Sequence, residues 1–225
     1  MTKVVPVPEG LEVDVVVSPL FEENCYLVRV AGSRTAVVID PGLDAESVAE
    51  LVTSRQLEVA AILNTHGHAD HIAGNEFLKR CWPGAELVIG RDDANKLTDP
   101  IANLSAPFGV SLISPPADRQ VVGGEELAYG PLRLLVQATP GHSRGHVVFS
   151  TEPTTSPAAI FGGDVLFRES VGRTDFPDGD AAALATSIRS VLYTCPDDTI
   201  VYPGHGPPTT VGHEKRANPF VPGAL

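Results

Sequence analysis

Val and Ile dominate three stretches near the start of the chain, 12–17, 24–30 and 35–39, with Gly, Ser and Pro between them. This is the pattern of β-strands separated by turns. Asp40-Pro41-Gly42 stops the series. Asp44 is placed to cap a helix reaching Gln56, because Val48, Leu51 and Val52 fall at i, i+3 and i+4 on one face. The apolar run 59–63 predicts a short buried strand, and after the polar stretch that follows it a helix is expected through Lys79. Residues 86–89 predict another strand. The segment 99–124, rich in Pro, Gly and Ser, predicts a long irregular stretch of the kind that borders an active site. Strands are expected again over 132–138, 147–150 and 158–161. A helix over 180–192 would bury Leu184, Ile188, Val191 and Leu192, and a last strand spans 199–202. Strands come in two batches, each followed by helices, which suits an α/β protein whose two sheets pack together with helices outside.

Composition narrows the class. With 225 residues, 43% of them hydrophobic, the chain can bury a substantial core, and one domain over 1–225 is expected. The formal net charge of −12, with no cluster of Lys and Arg, argues against nucleic acid as a partner. The start, Met1-Thr2-Lys3-Val4-Val5-Pro6, lacks the apolar stretch of a signal peptide, and no later run reaches the roughly 18 apolar residues of a spanning helix. A soluble cytoplasmic protein, without a membrane partner, is the expectation. Cys25, Cys81 and Cys195 are far apart and form no C-x-x-C pair, so they are expected to be free thiols.

The candidate chemistry lies in histidine and aspartate. Metal ligands must be lone-pair donors brought to one point, and neutral imidazole with carboxylate suits zinc, iron or manganese. Thr65-His66-Gly67-His68-Ala69-Asp70-His71 places four such donors within six residues, at the end of a predicted strand. In an extended turn His66 and His68 point the same way, while Asp70 and His71 come round at a helix start to a second point nearby, so one loop can feed two ions. Three further donors share a different context, a strand ending in a glycine turn: Pro140-Gly141-His142, Gly162-Gly163-Asp164 and Pro203-Gly204-His205. Glycine there lets the backbone bend sharply and pass close to a site.

The order and spacing of these motifs resemble the metallo-β-lactamase superfamily, and within it the glyoxalase II-like, or hydroxyacylglutathione hydrolase-like, branch. The resemblance runs through Ile39-Asp40-Pro41-Gly42, the THGHADH stretch at 65–71, TPGHSRGH at 139–146, GGDVLFRESVGRTDFPDGD at 162–180 and YPGHGP at 202–207. It implies a four-layer αββα sandwich. It also implies that His66, His68 and His142 hold one divalent ion, Asp70, His71 and His205 a second, and that Asp164 bridges both; zinc is the expected metal, with iron or manganese as alternatives. A true β-lactamase motif has Cys where Asp164 stands. His146 is taken as a supporting or structural residue, and His213, beside Glu214-Lys215-Arg216, as solvated.

Two ions roughly 3.5–4 Å apart can share a water and hold hydroxide in line with a carbonyl carbon. Asp70 would combine ligation with orienting that hydroxide. A thiolate leaves with little need of a proton, so a thioester suits a site with no obvious general acid. S-(hydroxyacyl)glutathione or a similar small thioester is the substrate that the resemblance suggests, although the chain stops at Leu225, where longer family members continue into a helical domain. Arg173 could bind a substrate carboxylate through its fork of donors; a structural or solvated arginine is the competing reading. The other activities weighed on the same donors are a single-iron persulfide dioxygenase, using His66, His142 and Asp164, and a lactone or phosphodiester hydrolase.

Overall fold

The computed structural model describes residues 8–151 and 157–223. The N-terminal residues that bear on a leader peptide lie outside them. Strands β1 (Leu11–Val17), β2 (Asn24–Val30), β3 (Thr35–Ile39), β4 (Glu58–Asn64), β5 (Glu86–Gly90) and β6 (Arg119–Val121) form one sheet in sequence order. Its first three strands are antiparallel and the rest run parallel to β3. The second sheet contains β7 (Glu126–Tyr129), β8 (Leu132–Ala138), β9 (Val147–Thr151) and β10 (Ala159–Gly163). It is completed by β13 (Ile200–Pro203) and β14 (Thr209–Thr210), after a small hairpin of β11 (Leu166–Phe167) and β12 (Ser170–Val171).

The sheets face each other across one apolar layer that includes Val28, Ile39 and Leu63 from the first and Val136, Phe149 and Phe161 from the second. The outer face of the first sheet is covered by helices α1 (Ala45–Ser54), α2 (Ala69–Ile72) and α3 (Asn75–Cys81). That of the second is covered by α4 (Ala181–Ser187) and α5 (Val211–Ala217). The architecture is the expected αββα sandwich. Strands such as β3, buried along both faces, read as continuous apolar runs for this reason. No helix among the described residues is long and apolar enough to cross a membrane.

Several local expectations are corrected. Helix α1 ends at Ser54, and Gln56 is left-handed at φ 54°; the Asp44 carboxylate accepts from the Ser47 hydroxyl instead of capping a backbone amide. The helix expected through Lys79 is broken into α2 and α3, because the Gly74 amide turns to the carbonyl of Pro41 (2.8 Å). Gly74 sits so close to that segment that a Cβ would lie 2.8 Å from the Gly42 carbonyl oxygen. The irregular segment 99–124 yields β6 near its end, and the helix over 180–192 passes from α4 into a π-helical turn at Ile188–Leu192. β7, the β11–β12 hairpin, β14 and α5 have no counterpart in the hydrophobic pattern. The charged tail around His213 is in fact α5, capped by Thr210, and His213 Nε2 lies 3.0 Å from Glu169 Oε1 instead of being merely solvated.

The topology explains where the chemistry gathers. β8 and β10 are both antiparallel to β9, and β13 is parallel to β10, so β8, β10 and β13 end at one edge of their sheet. The turns carrying His142, Asp164 and His205 follow those three ends. The 65–71 loop leaves β4 of the opposite sheet to meet them.

Candidate metal centre

All seven donors converge. His142 Nε2 lies 3.2 Å from His66 Nε2 and 2.8 Å from His68 Nδ1. In the second group His205 Nε2 is 3.4 Å and His71 Nε2 is 3.8 Å from Asp70 Oδ2. Asp164 touches both: Oδ1 is 3.4 Å from His71 Nε2, while Oδ2 is 3.5 Å from His142 Nε2 and 3.6 Å from His205 Nε2. Donors about 2.0–2.1 Å from a tetrahedral ion are separated by about 3.3 Å, the spacing found here. The glycines before the donors are needed for this approach. A Cβ on Gly204 would fall 2.2 Å from Asp164 Oδ1, and one on Gly163, at φ 47°, would fall 2.2 Å from Thr65 Oγ1.

Hydrogen bonds away from the centre decide which nitrogen of each ring is bare. The Thr65 hydroxyl donates to Asp40 Oδ2 (2.6 Å), so toward His66 Nδ1 (3.1 Å) it can only accept. His71 Nδ1 donates to Asp40 Oδ2 (3.1 Å), His142 Nδ1 to the Arg173 carbonyl (2.8 Å) and His205 Nδ1 to the Phe21 carbonyl (3.1 Å). In these four rings Nε2 is left as a lone pair pointing inward. Bare nitrogens 3.2 Å apart repel unless a cation lies between them. His68 Nε2, His71 Nε2 and Asp164 Oδ1 are buried without a hydrogen-bond partner, a cost that metal coordination removes for the two that face the centre, His71 Nε2 and Asp164 Oδ1. The residues fit divalent metal.

The electrostatics agree. Burial, reinforced by the neighbouring rings, holds His66 and His68 well below the ordinary imidazole value, and burial also lowers His142. Burial works against charge on Asp164 as well, but His71 and His142 outweigh it and keep the carboxyl ionised. For His71, burial is outweighed by the carboxylates of Asp70 and Asp164, which raise its pKa well above the ordinary value. His66, His68 and His142, held neutral, and the ionised Asp164 are in the protonation states a metal requires, whereas His71, and His205, which Asp70 and Asp164 raise against its burial, must release a proton to bind a cation.

Apart from His146, expected as a supporting residue, sequence reasoning missed the groups that hold these donors. Asp40 also clusters with His66 and His71, yet its oxygens are taken by Thr65 and His71 Nδ1, so it orients rather than ligates. His146 Nε2 accepts from the Asp164 amide (3.2 Å), and its Nδ1 meets the Thr139 hydroxyl (3.0 Å), which makes it a support for Asp164. Fully buried Asp93 accepts from the Gly67 amide (2.9 Å), the Ser143 hydroxyl (2.7 Å) and the Gly145 amide (2.8 Å), tying the 65–71 loop to the His142 loop. Lys96 sits 3.3 Å from Asp93 and 2.7 Å from Asp178, and Asp178 accepts from the Arg144 amide (3.1 Å). The sequence signals for this clamp are Gly67 and Gly145, whose Cβ atoms would lie 2.5 Å from Lys96 Cβ and 2.2 Å from the Asp93 amide nitrogen.

The structure places Arg173 by its backbone. Its carbonyl holds His142, while its exposed guanidinium forks onto Asp175 (2.9 and 2.8 Å) and covers the Phe176 ring at 4.7 Å. Phe176 packs edge-on against His68 and His142, at 5.0 and 5.6 Å between ring centres.

A family model of the metallo-β-lactamase superfamily matches residues 19–205, from the loop before β2 to the last donor. The chain belongs to this superfamily. It is 33% identical to hydroxyacylglutathione hydrolase GloC of Haemophilus influenzae, over 94% of this chain and 98% of that protein. The solved structure of the B3 metallo-β-lactamase BLEG-1 is similar with a TM-score of 0.86 at 34% identity, covering 94% of this chain and 99% of that one. That of ETHE1 from Myxococcus xanthus gives 0.78 at 30% identity, covering 95% and 86%. These relationships agree with a glyoxalase II-like member of the superfamily, a metal-binding hydrolase family.

Proposed function

We propose that the chain is a dinuclear metal-dependent thioester hydrolase acting on S-(hydroxyacyl)glutathione or a similar small thioester in the cytoplasm. The observation that carries this reading is Asp164, whose two oxygens reach the histidines of both groups, so that the donors form two adjoining sets. The likeness to GloC supports the substrate class, and the three free cysteines suit a reducing compartment.

Divalent ions held by these residues, zinc in the first instance, would supply Lewis acidity and would lower the pKa of a bound water. The protein's own groups do the rest. Asp70 keeps its side chain 23% exposed and is the group placed to orient the attacking water through Oδ2. Asp40, with the carbonyls of Phe21 and Arg173, keeps the Nδ1 protons directed away from the centre. Phe176 shields the His68 and His142 side from solvent. The thiolate then leaves without a general acid.

The persulfide dioxygenase is the second reading, favoured by the likeness to ETHE1 and by Gly-Arg-Thr-Asp-Phe at 172–176. Thiol release from S-lactoylglutathione without oxygen, compared with oxygen uptake on glutathione persulfide and with β-lactam turnover, separates these activities. The hydrolase should contain two ions per chain, and His205→Ala should lower its kcat by on the order of a hundredfold or more. Oxygen uptake matched to persulfide loss, with one iron per chain and no thioester cleavage, would sink the proposal. So would β-lactam turnover alone.

A further inference from the structure

The centre has one open edge. His66, His68 and His71 are buried and the His142 side chain keeps 3% of its surface, whereas Asp70 and His205 keep 23% and 26%. Each of these two donors adjoins a loop. The 18–23 loop between β1 and β2 lies against His205, whose Nδ1 donates to the Phe21 carbonyl (3.1 Å), and Asn24 ties the same loop to the carbonyls of Pro203 and Gly206. The 99–113 segment lies against the helix start that carries Asp70, where the Ala69 amide donates to the Asn103 carbonyl (2.9 Å). The two loops meet through Phe21 and Phe108, edge to face at 6.1 Å between ring centres. On the other side Phe167 stands edge-on to the His205 ring at 6.0 Å.

These loops are apolar where they face water. Segments 17–21 and 101–113 hold every exposed large hydrophobic side chain among the described residues except Leu43 and Phe220; Leu20 is 70% exposed, Ile101 76% and Phe108 72%. Exposed apolar side chains scattered singly need no explanation. A set concentrated on two touching loops, bracketing the one accessible edge of a reaction centre, has the character of a binding surface.

We propose that this rim receives the acyl chain of the substrate, and that the preferred substrates carry an uncharged alkyl or aryl acyl group; the assignment rests on the thioester reading above. The rim begins at Phe21, whose backbone touches His205, so either substituent of a thioester carbonyl carbon, acyl chain or sulfur, lies within reach of it. The apolar character of the rim selects the acyl side. The carboxylates of a glutathione moiety find no counter-charge on these apolar side chains.

The test uses the metal-loaded protein and straight-chain carboxylates from acetate to hexanoate, with binding read by calorimetry. Affinity should rise by up to about fourfold per methylene, and Phe108→Ser should flatten that rise while Phe220→Ser, similarly exposed at 62% but beyond the end of α5, leaves it. Hydrolysis of the same acyl series on a single thiol should show the same order in kcat/KM. A flat series in the wild type, a slope unaltered in Phe108→Ser, or a gain that follows chain length on the thiol side instead would overturn the assignment. If the carboxylate slope is present but no thioester is cleaved, the rim stands and the thioester reading falls. Cleavage with a flat slope gives the converse.

Discussion

Asp164 is the residue on which the two donor sets depend. Its Oδ1 is buried without a hydrogen-bond partner, 3.4 Å from His71 Nε2, and its backbone amide is held by His146. On the proposed dinuclear reading, Asp164→Ala would remove a shared ligand and leave the inward lone pairs of His71, His142 and His205 without their common carboxylate. The expected outcome is a metal content well below two ions per chain and activity near background, a larger loss than removal of any ligand of a single set. Elemental analysis that still finds two tightly held ions in Asp164→Ala would falsify the bridging role.

Among the elements, what matters is how separate loops are held in one arrangement. Asp93 receives three hydrogen bonds from two donor-bearing loops and is paired with Lys96, and both side chains are essentially buried. Removing Asp93 leaves two buried amides and the Ser143 hydroxyl without their acceptor and leaves Lys96 paired with Asp178 alone. Asp93→Ala should therefore destabilise the protein by about 3–5 kcal/mol and weaken metal binding roughly tenfold to a hundredfold. Denaturant titration and chelator competition measure the two effects. Unchanged metal affinity would reduce the clamp to a purely structural role.

Asp178 adds a pH signature to the same clamp. Burial disfavours its charge, but the Lys96 ammonium and the Arg144 amide outweigh burial and hold the carboxyl below its usual value. A depressed acid stabilises the fold above its unfolded pKa, about 4, and loses that contribution as pH falls through the lower folded value. Wild type should thus exceed Asp178→Asn in stability by a constant margin at pH 6 to 8, with the margin closing below about pH 4. A margin that persists to strongly acidic pH would mean that the charge of Asp178 is not what stabilises.

At the scale of the whole molecule, the donors join two sheets. The 65–71 loop follows β4 in one sheet, and His142, Asp164 and His205 follow β8, β10 and β13 in the other. Ions held there, as proposed, would act as cross-links between the layers, in addition to the apolar contact of residues such as Leu63 and Phe149. Chelation should lower Tm, and adding metal back should raise it in a concentration-dependent way, because the folded chain alone presents the assembled sites. Calorimetric scans with and without metal provide the check. An invariant Tm would contradict ligation across the sheets.

The sequence by itself determined what depends on local order. Val- and Ile-rich and continuous apolar runs marked most strands, and the His-x-His-x-Asp-His spacing with the three glycine turns marked the seven side chains that converge, since ligand type and backbone freedom belong to single residues and their neighbours. Tertiary structure alone decided the groups that act across the sandwich. Asp93 meets Gly145, and Lys96 meets Asp178, only because β5 and the turns after β8 and β10 come to the same edge. Which nitrogen of His71, His142 or His205 is bare was settled by acceptors at Asp40, Arg173 and Phe21, in segments that no periodicity connects to them. The break at Gly74 arose likewise from a backbone contact with Pro41 that overrides helical propensity. The physical reason is common to all of these. Hydrophobic periodicity reports which face of an element is buried, whereas hydrogen-bond partners distant in sequence exist only once the layers are stacked and the strand ends are aligned.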